Sequence, residues 1–129
     1  MTPKRDPHFG PVPEAAWRAD EAARRERGRV EIFNATRLGG LDGWTMDLAQ
    51  YDAMRRHILG MLAHEAGPDG TIPLKHVVLA AQERYGTDPR FPGGRTRNYC
   101  TYTKVDLEAR CEIERIPGSA PQRLRLPTA

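Results

Sequence analysis

The chain of 129 residues lacks most of the features that mark a secreted or membrane-bound protein. It has only two cysteines, and aromatic residues make up 7% of the sequence. No apolar run approaches the length that spans a bilayer. The N-terminal segment, MTPKRDPHFGPVP, has basic residues but no apolar stretch of the kind found in secretory signals. These absences predict a cytoplasmic protein with no membrane partner, and the arginine-rich composition favours a bacterial source.

Catalytic and metal-binding motifs are also missing. The sequence contains no HExxH, CxxC, P-loop or GxGxxG pattern. His57 and His64 lie two turns apart on one predicted helix, too far to share a metal ion without a third ligand. Asp106 and Glu108 fall on different faces of their helix, so they do not form an acid–base pair. We therefore expect no enzymatic activity, no catalytic residue, no metal and no cofactor.

The most informative stretch runs from residue 96 to residue 126. Thr96 is expected to cap a helix through its hydroxyl group. One sector of this helix forms a narrow stripe typical of a buried face, made up of Thr96, Cys100, Thr103, Leu107 and Cys111. The two cysteines are about 16 Å apart along the helix axis, too far for a disulfide, so both are expected to be buried thiols.

Two short alternating segments follow this helix. The residues at 113–116 and 123–126 alternate apolar and polar side chains, as half-buried strands do, and the intervening sequence PGSAP is typical of a turn. A helix that leads into a β-hairpin is how a winged helix-turn-helix domain ends. The sequence therefore predicts an α+β fold of this kind, with a three-helix core, a C-terminal hairpin wing and an additional N-terminal hairpin.

The outward face of the same helix is polar and basic in its first two turns. Small hydrogen-bonding side chains beside cations suit a helix that enters the major groove of DNA, and wing arginines suit the phosphate backbone. Residues 90–125 hold eight basic and four acidic residues, a larger excess of positive charge than that of the whole chain. The candidate DNA-binding residues are Arg95, Arg97, Asn98, Thr101, Tyr102, Lys104, Arg123 and Arg125.

The remainder of the chain divides into a tail and a domain. Residues 1–28 are predicted to be a flexible tail with a possible helix at 13–27, which either docks through Trp17 or stays loose. Residues 29–126 are predicted to form the domain, and 127–129 a short tail.

Within the domain we expect a hairpin that pairs 29–34 with 43–46. Asp47 and Gln50 match a capping box for a helix that ends near His64. A short strand at 71–72 and a helix that begins at Pro73 follow, and Phe91 is expected to insert into the core.

Several of these segments resemble a family of small, uncharacterised bacterial proteins. The resemblance covers roughly residues 29–126 and rests on YDAMRRHIL from Tyr51, the FPGG loop at 91–94, KVDLEARCEIER from Lys104, and QRLRL. Members often carry glycine where Cys111 stands here, so the bend at this position is expected to be tighter or more strained. The resemblance implies a hairpin followed by a winged-helix-like core, and it implies no activity.

Four interpretations of the outward face follow. The first is duplex-DNA binding, as above. The second is a protein-interaction module that binds a second copy of the chain or another protein, because fold does not determine function. The third is a small-anion sensor in which Gly93 and Gly94 present backbone N–H groups at the start of the helix. The fourth is a solvated surface with no ligand, which is the common outcome for a helix of this composition.

Overall fold

A computed structural model describes residues 12–37 and 40–127. In this part of the chain there are four α-helices and two small antiparallel sheets. The helices are α1 (Glu14–Arg27), α2 (Leu48–His64), α3 (Leu74–Tyr85) and α4 (Thr96–Ala109). The strands are β1 (Arg29–Phe33), β2 (Leu41–Asp47), β3 (Ile72–Pro73), β4 (Glu114–Arg115) and β5 (Arg123–Arg125). The predicted α+β class is confirmed. Among the described helices, none combines the length and the apolar character needed to cross a bilayer.

The first sheet is the expected N-terminal hairpin. Strands β1 and β2 pair antiparallel, with Val30 opposite Met46. The alternating sequence of β1 places Val30 and Ile32 against the core, where both are fully buried. The exposed sides of the two strands are joined by Arg29, whose guanidinium donates to the Thr45 hydroxyl at 2.9 Å.

The second sheet has three strands in the order β3-β5-β4. Leu124 lies at its centre, opposite Ile72 on one side and Arg115 on the other, and is fully buried. The short strand expected at 71–72 is therefore present, displaced by one residue to Ile72–Pro73. It links the segment before α3 to the C-terminal strands.

The core lies between α2, α3, α4 and the two sheets. Tyr51, Ile58 and Leu62 of α2 face inward as their spacing predicts. Phe91 also inserts into the core as expected, with its ring 5.3 Å from that of Tyr85 and 5.5 Å from that of Tyr99, measured between centroids. Each such apolar side chain contributes about 1.5–3 kcal/mol by leaving water.

Helix α1 is docked rather than loose. Trp17 packs against a small cluster formed by Phe33, Ala35 and Ala109. Asp20, one turn further on, is 5% exposed and accepts a hydrogen bond from the Glu31 backbone N–H at 2.9 Å. The segment expected as a tail therefore includes a helix in contact with β1 and α4, while residues 1–11 and 128–129 lie outside the described residues.

The prediction that Cys111 is buried is wrong. Helix α4 ends at Ala109, and Cys111 adopts a left-handed conformation with φ of 63° that turns its side chain outward. The backbone N–H of Cys111 donates to the Glu108 carbonyl at 3.1 Å, and that of Glu112 to the Leu107 carbonyl at 2.9 Å. These two bonds form a Schellman motif, which places Cys111 at the position where glycine is favoured.

Two predicted helix caps also differ from the structure. Thr96 does not cap α4, because its hydroxyl points back to the Tyr85 carbonyl at 3.4 Å. Asp47 does cap α2, but it accepts from the backbone N–H of Ala49 at 3.1 Å. Gln50 does not reach back to the cap, because its amide donates to the Arg90 carbonyl instead. Tertiary contacts outside the helix have thus displaced the local capping pattern.

Candidate functional site

The first two turns of α4 form the exposed surface that the sequence predicts. Arg97 and Asn98 are exposed, Tyr102 is 38% exposed, and Arg95 is exposed just before the helix begins. Thr101 is half-buried, and its hydroxyl donates to the Arg97 carbonyl of its own helix at 2.9 Å. The C-terminal half of α4 is enclosed, so only these first two turns are open to a ligand.

Lys104 does not lie on this surface, contrary to the prediction. It is 4% exposed and forms an ion pair with Glu108 one turn further along α4. Cys100, Lys104 and Glu108 occupy successive positions four residues apart, so they share one buried row of the helix. Burial lowers the pKa of Lys104, and burial raises the pKa of the Cys100 thiol to about 12.

The two arginines of the predicted wing are also engaged within the protein. The guanidinium of Arg123 donates to the Thr71 hydroxyl at 2.8 Å, and that of Arg125 to the Glu114 carboxylate at 2.7 Å. The first contact joins β5 to the residue that precedes β3, and the second joins β5 to β4. Of the eight candidate residues, Lys104, Arg123 and Arg125 therefore have structural roles, and the structure gathers Arg95, Arg97, Asn98, Thr101 and Tyr102 at the start of α4.

One cation near this surface was missed by sequence reasoning. Lys75 is exposed in the first turn of α3, and it lines the same cleft as Arg97. The cleft has a volume of about 490 Å³ and lies between α3, α4 and the turn that precedes β5. Its lining residues are Leu74, Lys75, Val78, Leu79, Gln82, Arg97, Thr101, Pro121 and Gln122. The available signal was that Lys75 is a charged residue at the start of a predicted helix.

A second cleft lies on the other side of α4. It has a volume of about 450 Å³ and lies between the first two turns of α4 and the loop side of the β1–β2 hairpin. Its lining residues are Arg37, Asp42, Trp44, Arg95, Asn98, Tyr99 and Tyr102. The exposed face of α4 is thus bordered by an apolar cleft and by an aromatic one.

The glycine pair before α4 forms a tight turn. Residues Pro92–Gly94 make one 3₁₀ turn, and the backbone N–H of Arg95 donates to the Pro92 carbonyl at 3.3 Å. That N–H is therefore already used by the turn. The anion-sensor interpretation of Gly93 and Gly94 stays a prediction.

Comparison with known proteins gives a family and no activity. The sequence model of one family, described as a family of unknown function (DUF6958), matches residues 29–124. The chain belongs to this family. No curated protein and no solved structure matches the chain. The resemblance to a family of uncharacterised proteins is therefore confirmed, and the function must be argued from the site.

A buried ionic network that sequence reasoning missed joins the DUF6958 region to the helix that precedes it. Arg110 is fully buried, and its guanidinium donates to the Asp106 carboxylate at 2.7 Å and to the Asp20 carboxylate at 2.7 Å. Asp106 also accepts from the Tyr51 hydroxyl and from the Phe33 backbone N–H. The signal was the spacing of four residues between Asp106 and Arg110, which places an acid and a base on one side of a helix.

Burial and donors act in opposite directions on the two carboxylates of this network. Burial raises the pKa of Asp106, and the neighbouring Arg110, Tyr51 and Phe33 groups only partly offset it. Burial also acts to raise the pKa of Asp20, but the Glu31 backbone N–H and Arg110 outweigh it, so the pKa of Asp20 falls below its ordinary value. The network joins α1, β1, α2 and α4, so its role is to hold these elements together.

Proposed function

We propose that this chain is a non-enzymatic winged-helix protein that binds duplex DNA through the start of α4 and the cleft beside α3. The proposal is supported by the order of elements, α2-β3-α3-α4-β4-β5, and by the sheet order β3-β5-β4. In this arrangement α3 and α4 are the helix pair, α4 is the recognition helix and β4–β5 is the wing.

The observation that carries the proposal is the placement of two cations. Lys75 and Arg97 lie in the first turns of successive helices and line one cleft. Neither has an acidic partner among the described residues, and the same holds for Arg95. Cations that are not neutralised within the protein are available to phosphates, and such contacts set the position of a helix on the duplex.

Fewer residues are placed to contact bases directly than the sequence predicts. Asn98 is exposed in the first turn of α4, and its amide can pair with the N6 and N7 groups of adenine. Tyr102 is partly covered by Trp44, with ring centroids 4.7 Å apart. Sequence preference is therefore expected to be modest, with most of the affinity coming from phosphate contacts.

A fluorescence-anisotropy titration of a labelled duplex at several salt concentrations tests the proposal. For the double variant Lys75→Ala/Arg97→Ala we expect weaker binding and a salt slope reduced by about 2, because about one counterion is released per phosphate contact. The matched control is Arg25→Ala/Arg56→Ala, which removes two exposed charges that do not line the cleft.

Two outcomes would contradict DNA binding. One is the absence of binding at low salt. The other is an equal loss of affinity in the cleft variant and in the control variant, because this would show that net charge alone attracts the duplex.

A second candidate function is protein binding through the same cleft. Its floor is apolar, and Leu79 is 50% exposed beside Leu74 and Val78. Apolar surface of this kind contributes to binding a protein and little to binding phosphate. If a second copy of the chain occupies the cleft, light scattering should show concentration-dependent dimers that Leu79→Gln abolishes, whereas Leu79→Gln should leave DNA affinity nearly unchanged if the cleft serves DNA.

A further inference from the structure

The aromatic cleft on the hairpin side of α4 has the size and lining of a small-molecule site. Its volume of about 450 Å³ falls within the range of about 300–1,000 Å³ that is usual for ligand pockets. Trp44 and Tyr102 meet edge to face at 4.7 Å, and Tyr99 meets Tyr102 nearly at right angles at 6.5 Å. Tyr99 in turn packs on buried Phe91, so these walls are continuous with the core.

The acid in this cleft is held by three donors. The carboxylate of Asp42 lies 2.7 Å from Nε of Arg37 and accepts from the Trp44 indole N–H at 2.8 Å and from the Asn34 amide at 3.2 Å. These contacts use its acceptor oxygens and neutralise its charge with Arg37. They also fix the orientation of the Trp44 ring, which gives the cleft one rigid wall.

Arg95 gives the cleft a net positive charge. Among the described lining residues, Asp42 is the one acid and it is paired with Arg37, whereas Arg95 is exposed and has no acidic partner. An exposed guanidinium without an acidic partner can bind a carboxylate through two parallel hydrogen bonds. Asn98 lines the same space and can bind a polar substituent of a ligand.

We propose that the cleft between the β1–β2 hairpin and α4 binds an aromatic carboxylate, with the ring against Trp44 and Tyr102 and the carboxylate on Arg95. The aromatic walls select a planar ring, because ring pairs add attraction beyond the area that they bury. The unpaired guanidinium selects an anion over a neutral amide of the same shape. This site is independent of phosphate contact by Lys75 and Arg97, which line the opposite cleft.

Nuclear magnetic resonance of the full chain labelled with ¹⁵N tests the site without DNA present, so the outcome is independent of the proposed function. The reporter is the indole N–H signal of Trp44, assigned by its persistence in Trp17→Phe. We expect benzoate to shift this signal saturably, benzamide to bind about tenfold more weakly because it lacks the charge, and acetate to cause no shift because it lacks the ring.

The variant Arg95→Gln should weaken benzoate binding about tenfold and leave benzamide binding unchanged. Arg56→Gln, an exposed position on α2, serves as the control and should change neither. The proposal is overturned if benzoate at about 10 mM does not shift the Trp44 signal. The dissociation constant would then lie well above about 10 mM. It is also overturned if Arg95→Gln binds benzoate as the native chain does.

Discussion

At the scale of single residues, Cys111 is the clearest departure from the favoured chemistry. It holds a left-handed conformation with φ of 63° at the end of α4, where a side chain with Cβ is disfavoured. The structure thus supplies the physical reason for the strain that the family resemblance indicated at this position. Helical spacing alone placed Cys111 on the buried stripe, because that spacing assumes the helix continues through residue 111.

Replacing this residue should therefore stabilise the protein. Cys111→Gly is expected to raise the free energy of unfolding by about 1 kcal/mol, because glycine adopts this conformation without steric cost. Urea denaturation measures the change. Cys111→Ala is the matched control, since it removes the sulfur but keeps Cβ. An equal gain in both variants would show that the thiol, rather than the backbone conformation, is responsible.

At the scale of elements, the attachment of α1 depends on a carboxylate. Asp20 accepts from the backbone of β1 and pairs with Arg110 of the segment that follows α4. The sequence predicted the helix but left its docking open, because Trp17 was the visible apolar anchor and the partner of Asp20 lies 90 residues away.

The docking of α1 should weaken in acid. The pKa of Asp20 lies below its ordinary value of 3.8, so its contribution is complete above that value and is lost as the pH falls through the lower, folded value. The protection factors of the α1 amides, which compare measured with intrinsic exchange at each pH, are expected to fall in this range before those of the α4 amides. In Asp20→Asn the α1 amides should exchange rapidly already at neutral pH.

The matched control for Asp20 is Glu14→Gln on the same helix. Glu14 is an exposed carboxylate whose partner, Arg18, is also exposed. Its replacement should leave the exchange of the α1 amides nearly unchanged, because exposed ion pairs contribute little. If Glu14→Gln and Asp20→Asn accelerate exchange equally, helix charge rather than the buried contact governs docking.

At the scale of the whole molecule, the apolar core could be predicted from the sequence, whereas the buried polar groups could not. Alternation in 29–33 and the spacing of apolar residues in α2 were sufficient to place the hairpin and the core. Charges carry no such pattern, because an acid or base is buried only when a partner from elsewhere meets it. The spacing of Asp106 and Arg110 indicated an ion pair, but the burial of that pair and of Lys104 could not be assigned from the sequence alone.

Removing one member of the buried network should destabilise the protein more than removing a partly exposed carboxylate. Asp106→Asn is expected to cost about 3–5 kcal/mol, because it removes one of the two carboxylates that pair with buried Arg110 and leaves the Asp20 carboxylate to balance that charge. Asp47→Asn is a suitable comparison, since Asp47 is partly exposed and caps one helix end, and asparagine caps nearly as well. Chemical denaturation of both variants measures the difference. A similar small loss in both would show that Asp106 contributes no more than a surface carboxylate.

The contact between Arg110 and Asp20 links the DUF6958 region to the helix before it, so the chain cannot be shortened to that region without losing an ion pair. The family match starts at residue 29, yet Arg110 inside that span relies on a carboxylate that precedes it. A shortened product beginning at Arg29 would expose Phe33 and Ala109, which Trp17 now covers, and would leave the guanidinium with one carboxylate fewer. The start of the homologous region is therefore not a domain boundary. A shortened protein made for expression should begin before Glu14.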